Sequence, residues 1–204
     1  MSRVLALVVI ASSGLVLLAC NKPQAPAPTP KTQAASPPAA PAPPPVAPIA
    51  PALAGFFHQP GHDVFGYYLP QTALTIGKYR LRELHLGGAD EFESYEKGQR
   101  ISPNYAPIML EFDDTTSPQH ENELGQPYHE VSRRVLPSAY RVTAQSVQFA
   151  GHDDQLGDVT YEGKLDAKAL DRVRAGGASE PVLGGTLKAL GQSVTKAYVW
   201  FGGD

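Results

Sequence analysis

The chain has 204 residues, among them 20 prolines, 19 glycines and one cysteine, and its formal charge is −3. At about 150 residues per domain, that length fits one domain with something added. A single cysteine excludes an intramolecular disulfide framework and a cysteine-rich zinc site; a 42% hydrophobic and 18% charged composition excludes disorder throughout.

Residues 1–19 have the parts of a secretory signal peptide, to be kept out of fold reasoning. Arg3 supplies the positive start, and residues 4–18 carry no charge. This apolar run of 15 residues is shorter than the roughly 20 that a helix needs to span a bilayer core. Leu17-Leu18-Ala19-Cys20 closes it, with small Ala19 directly before the cysteine. These positions resemble the lipobox of bacterial lipoproteins. The resemblance implies that Cys20 receives a diacylglyceryl group, that the signal is cut before it, and that the new amino group takes a further acyl chain such as palmitate. Two or three chains hold a protein stably in a bilayer, where one binds only marginally. Within that family an Asp after the cysteine retains the protein in the inner membrane. Asn21 stands here, which implies the outer membrane, facing the periplasm, with the inner membrane as the alternative.

Residues 20–54 form the lipidated cysteine and a linker. Residues 21–54 hold 12 prolines and 11 alanines, two lysines (Lys22 and Lys31) and no aromatic residue. Such a composition cannot bury enough apolar surface to offset its ordering entropy, and Pro43-Pro44-Pro45 favours polyproline II. The stretch therefore reads as a disordered, semi-rigid tether that holds a domain off a membrane.

The remaining residues, 55–204, contain all 17 aromatic residues and all six histidines. Their 14 Lys and Arg against 20 Asp and Glu leave this part at −6. Nucleic acid requires a basic footprint, so it is excluded as a partner. Period-2 alternation predicts strands through Leu74 and Ile76, with Tyr79 and Leu81 changing phase after Gly77 as at a bulge. Further strands are predicted through Ile108–Leu110–Phe112, Val131–Val135, Tyr140–Ala144, Val147–Phe149 and Val159–Leu165. Leu183 and Leu187 precede a turn at Gly191-Gln192, and the strand through Val194–Trp200 is expected to be covered on both faces. Short helices are predicted over residues 90–97, with a Glu93–Lys97 pair, and 166–174, capped by Asp166. Seven or eight strands with two small helices predict a mainly β domain, an antiparallel sandwich or barrel.

Several groups carry candidate chemistry. His58, His62 and Asp63 supply zinc- or copper-type ligands, but Pro60 and Gly61 part the histidines, so the preferred reading is a loop and no metal or cofactor is assigned. Asp113, Asp114, His120, Glu121 and Glu123 lie in the longest polar stretch, read as an exposed loop suited to binding; neither it nor Asp153-Asp154 has EF-hand spacing. Ser94–Lys97 and Ser193–Lys196 match Ser-x-x-Lys without the motifs that complete a penicillin-recognising site, and read as chance. Phe56, Phe57, Phe65, Tyr67 and Tyr68 either close one end of the core or form a ligand-facing patch. No catalytic residue is assigned, and Cys20 is the one site, for lipid. The expected function is that of a membrane-anchored, non-enzymatic lipoprotein whose periplasmic domain binds an envelope protein or small ligand. The alternatives are an inhibitor or immunity lipoprotein that neutralises a toxin or wall-degrading enzyme, and a metal-dependent hydrolase.

Overall fold

A computed structural model describes residues 53–203; the signal segment, Cys20 and the Pro/Ala tract up to residue 52 lie outside the described residues. The first half runs β1 (Phe56–His58), β2 (Gly66–Pro70), β3 (Leu74–Ile76), β4 (Tyr79–Leu86), helix α1 (Ala89–Glu96), β5 (Ile108–Asp114), β6 (Gln119–Glu121) and β7 (Pro127–His129). The second runs β8 (Ser132–Val135), β9 (Pro137–Val142), β10 (Ser146–Asp153), β11 (Gly157–Leu165), helix α2 (Ala167–Arg174), β12 (Pro181–Ala189) and β13 (Gln192–Phe201).

Eleven of the strands form one sheet in the order β1-β9-β10-β11-β12-β13-β2-β4-β5-β8, with β3 hydrogen-bonded to β4. All pairings are antiparallel except β1 with β9. The chain passes from β8 at one end of this path to β9 near the other through Leu136, and Arg133 on β8 reaches Asp153 at the tip of β10 at 3.4 Å. The sheet therefore curls on itself as a half-barrel, which decides between the sandwich and barrel alternatives.

Alternation places one set of side chains inside. Tyr68, Tyr140, Tyr161, Tyr198, Phe92, Phe112 and Phe149 are fully buried and fill the interior with rings. Gly163 and Gly185 lie under the Tyr161 ring: a Cβ at Gly185 would come within 2.4 Å of the phenol oxygen. Gly66, at φ +141°, leaves room for the Trp200 indole, whose N–H donates to the Phe65 carbonyl. Helix α1 closes the β1 end, where Phe92 stacks on His58 and Tyr95 meets Phe56 edge-on. Helix α2 is capped as expected, Asp166 accepting the Ala169 N–H at 3.0 Å.

Four expectations are corrected. Gly77 (φ +58°) forms a tight turn between paired strands β3 and β4, and the bulge lies at Leu81/Glu83. Strand β13 is not covered on both faces: of its residues only Tyr198 is buried. Asp113 and Asp114 belong to β5, all seven residues of which are buried, and not to an exposed loop. The strand count rises because β1, β2, β6 and β7 are short and weakly patterned.

Candidate functional site

The outward face of β4, β5 and β8 carries an unusual density of charge. Lys78, Arg80 and Arg82 recur at every second position, and β5 presents Glu111 and Asp113 opposite them. Arg80 donates to Asp113 Oδ2 at 2.8 Å, while Arg82 and Arg134 (3.3 Å) both hold Glu111. Lys78 bonds Asp114 at 2.7 Å at the end of the ladder. Hydrogen bonds from Lys78 and then Thr116 pull the Asp114 carboxyl down to about 2. Glu83, displaced by the bulge to face Glu111, is pushed up by burial, with the charge on Glu111 adding to the effect against that of Arg82.

One acceptor in this ladder is left open. Asp113 is 2% exposed, and its Oδ1 has no hydrogen-bond partner; Arg82 Nη1 stands 3.7 Å from it. Asp113 lines a groove of about 410 Å³. Its walls are Leu69 and Pro70 on β2, Ala73 after it, Arg80, Leu81 and Arg82 on β4, and Pro127 and Tyr128 from the β6–β7 hairpin. The hairpin forms its own two-stranded sheet and overhangs β5. Its turn is set by Asn122, whose side-chain oxygen accepts the Leu124 and Gln126 N–H groups, and by Gly125 at φ +72°.

Beside the ladder lies a second polar chain. Tyr105 donates to Glu91 Oε1 at 2.6 Å, Glu91 Oε2 accepts the Gly88 N–H at 2.7 Å, and His85 Nε2 lies 3.2 Å from the Tyr105 oxygen. The phenol has one hydrogen and gives it to the carboxylate, so His85 donates from Nε2, leaving a bare, buried Nδ1 without a partner. Burial holds the pKa of this imidazole below its ordinary value. Phe65 and Tyr67 pack around its ring.

The structure separates the sequence-predicted site residues. His58 points inward onto Phe92, His62 meets the Gln59 side-chain amide at 2.9 Å, and Asp63 pairs with Arg174. Burial works against ionisation of Asp63, but the Phe65 N–H and Arg174 outweigh it and keep its pKa low. Among the described residues no group of three or more His, Cys, Asp or Glu side chains converges as for a metal ion. Tyr68 belongs to the core and Phe56 packs against it, while Phe57 and Phe65 are exposed. Ser94 and Lys97 lie at helix α1, and Ser193 is exposed on β13, where Lys196 donates to Thr72 at 2.8 Å. Asp153 caps the β10–β11 turn, and His120 faces Glu130 across the hairpin.

Sequence reasoning missed Arg80, Arg82, Glu91, Tyr105, Tyr128 and Arg134. Three cations at strict period two, followed by Glu111 and Asp113 at the same period, are the pattern that marks a cross-strand ladder. A broader cleft of about 700 Å³ lies over β10–β13 among Ser146, Gln148, Gly184, Thr186 and Thr195; it lacks a buried charged group. No protein-family model, curated protein or solved structure matches the chain.

Proposed function

We propose that the protein is a bacterial lipoprotein, acylated at Cys20, whose tether lets the half-barrel work in the periplasm as a non-enzymatic binding module for an envelope protein or small ligand. The outer membrane is the favoured site of anchorage, on the identity of Asn21. One observation carries this reading: the chain's single cysteine stands directly after Leu17-Leu18-Ala19, at the end of an uncharged run of 15 residues. The interior of the half-barrel is filled by rings, so binding is assigned to the outside of the sheet, where the groove beside the β6–β7 hairpin has an unpartnered buried acceptor, Asp113 Oδ1, between two half-exposed arginines. Glu111 and Asp113 are held by guanidinium groups, an arrangement that suits recognition better than proton transfer.

Metabolic labelling with radioactive palmitate tests the anchor. The wild-type chain should take up label and sediment with membranes, and Cys20→Ser should lose both. Equal sedimentation and processing of the serine variant would overturn the reading. A second reading, an inhibitor of a basic toxin or wall-degrading enzyme, is favoured by the hairpin: residues 119–130 include Glu121, Glu123 and Glu130 and no Lys or Arg, with Leu124 exposed at the tip. Capture of a basic enzyme from envelope extract at low salt, lost at high salt, would favour this second reading.

A further inference from the structure

The groove between the β6–β7 hairpin and the outer face of β4–β5 is built for a particular kind of molecule. Its charged lining is Arg80, Arg82 and Asp113, and each guanidinium already has a carboxylate partner, Arg80 in Asp113 and Arg82 in Glu111 beside the groove, so the floor carries no unpaired charge. An ion of either sign would meet its own charge as closely as the opposite one, so a neutral ligand is preferred. The hydrogen-bonding capacity, by contrast, is unspent. Asp113 Oδ1 accepts from nothing, and the Arg80 and Arg82 side chains, each about two-fifths exposed, keep N–H groups free of their carboxylate bonds. The matching ligand edge must donate to the carboxylate and accept from a guanidinium within a few ångströms, as two neighbouring hydroxyls do.

The other walls present carbon. Leu69, Pro70, Ala73 and Pro127 are apolar, and the Tyr128 ring is half exposed. An aromatic face attracts the electropositive C–H bonds on the face of a sugar ring. A volume of about 410 Å³ lies within the 300–1,000 Å³ usual for ligand clefts. Oδ1 is buried with Arg82 Nη1 3.7 Å away, so a ligand hydroxyl reaches it only when the Arg82 guanidinium swings from Glu111 on its flexible stem. From this combination we infer that the groove binds a neutral oligosaccharide, with hydroxyls on Asp113, Arg80 and Arg82 and a ring face on Tyr128. The inference deepens the ligand-binding half of the proposed function and does not depend on the anchor.

Calorimetric titration of the full chain, held in a zwitterionic detergent free of sugar, tests it with maltotriose, cellotriose, chitotriose and mannotriose. At least one should bind, with a dissociation constant of about 0.1–1 mM. Asp113→Asn and Tyr128→Ala should each weaken it about tenfold. Tyr128 is not part of the core, so Tyr128→Ala decides the matter alone if Asp113→Asn fails to fold. Four results overturn the assignment: no titration by any trisaccharide up to roughly 10 mM; binding indifferent to Tyr128→Ala; binding of inorganic phosphate in place of sugar; or binding of a trilysine peptide in place of sugar. Any of these, with palmitate labelling of Cys20 intact, removes the glycan assignment and leaves the anchored-binding reading standing. Loss of labelling with sugar binding intact does the reverse.

Discussion

His58 ends strand β1 with its ring flat against Phe92, 4.3 Å between centroids, and its Nε2 has no partner. Burial depresses its pKa, and the same holds for His85. The sign of the consequence follows from linkage. An unfolded chain protonates these imidazoles near their ordinary value, about 6.5, while the folded chain resists until lower pH. Their contribution is therefore complete above pH 6.5 and declines as the pH falls through that value toward the folded pKa. His58→Phe keeps the stacked ring and abolishes this loss. Its thermal midpoint at pH 5 should exceed the wild-type one by roughly 3 °C, with a smaller difference at pH 7.5. Parallel Tm–pH curves for the two proteins would refute the argument. The same residue explains why the metal reading of His58, His62 and Asp63 did not survive folding. Sequence spacing places the three close together, but a strand facing inward ends at His58, and Pro60 and Gly61 (φ +78°) redirect the chain so that His62 and Asp63 take other partners.

Strands with clean alternation were legible: β5, β9, β10, β11 and β12 follow the period-2 pattern in sequence, and the two helices were legible from apolar residues three apart and the glycines beyond them, α2 also from its Asp166 cap. The β6–β7 hairpin was not, because it has no apolar face to generate a period; its residues are exposed except for a half-buried His129. Its turn and the Glu130 N–H bond to the Pro118 carbonyl hold it as a separate ribbon. An element that contributes nothing to the core should be removable. Replacing residues 119–129 with a two-residue Asn-Gly turn should leave Tm within about 4 °C of the wild type. The same trimmed chain should lose trisaccharide binding, since Pro127 and Tyr128 form the apolar side of the groove. A fall in Tm of about 10 °C or more would show that the hairpin shields β5, and would contradict its treatment as an appendage.

The order of strands in space makes β13 the member on which the whole sheet depends. Strands β9 to β13 follow one another as a meander, and β2, β4 and β5 continue the sheet from the other end of the chain. Among the described residues the bonded junction between these blocks in the strand order is β13 with β2, where Tyr68 faces Trp200 and Tyr67 faces Phe201. This pairing joins residues more than a hundred positions apart, a long-range closure that no local pattern announces and that makes folding slow. Its location also explains why sequence reasoning yielded the class of fold but not which face would carry the groove: the groove's wall at Leu69 and Pro70 is placed by β2 against β13. Ending the chain at Leu190 removes β13 and should therefore do more than delete an edge strand. It leaves β2 and β12 each with an unpaired edge, uncovers Tyr161 where Tyr198 packs edge-on, and opens the interior between the two blocks. The shortened chain should show no cooperative thermal transition and should aggregate. Removal of residues 1–52, by contrast, leaves every residue of the buried cluster from Val64 to Tyr198 in the chain, and should leave a single transition within about 2 °C of the full chain. A cooperative transition in the protein ending at Leu190 would mean that the two blocks fold independently, and the half-barrel would then be two sheets in contact and not one.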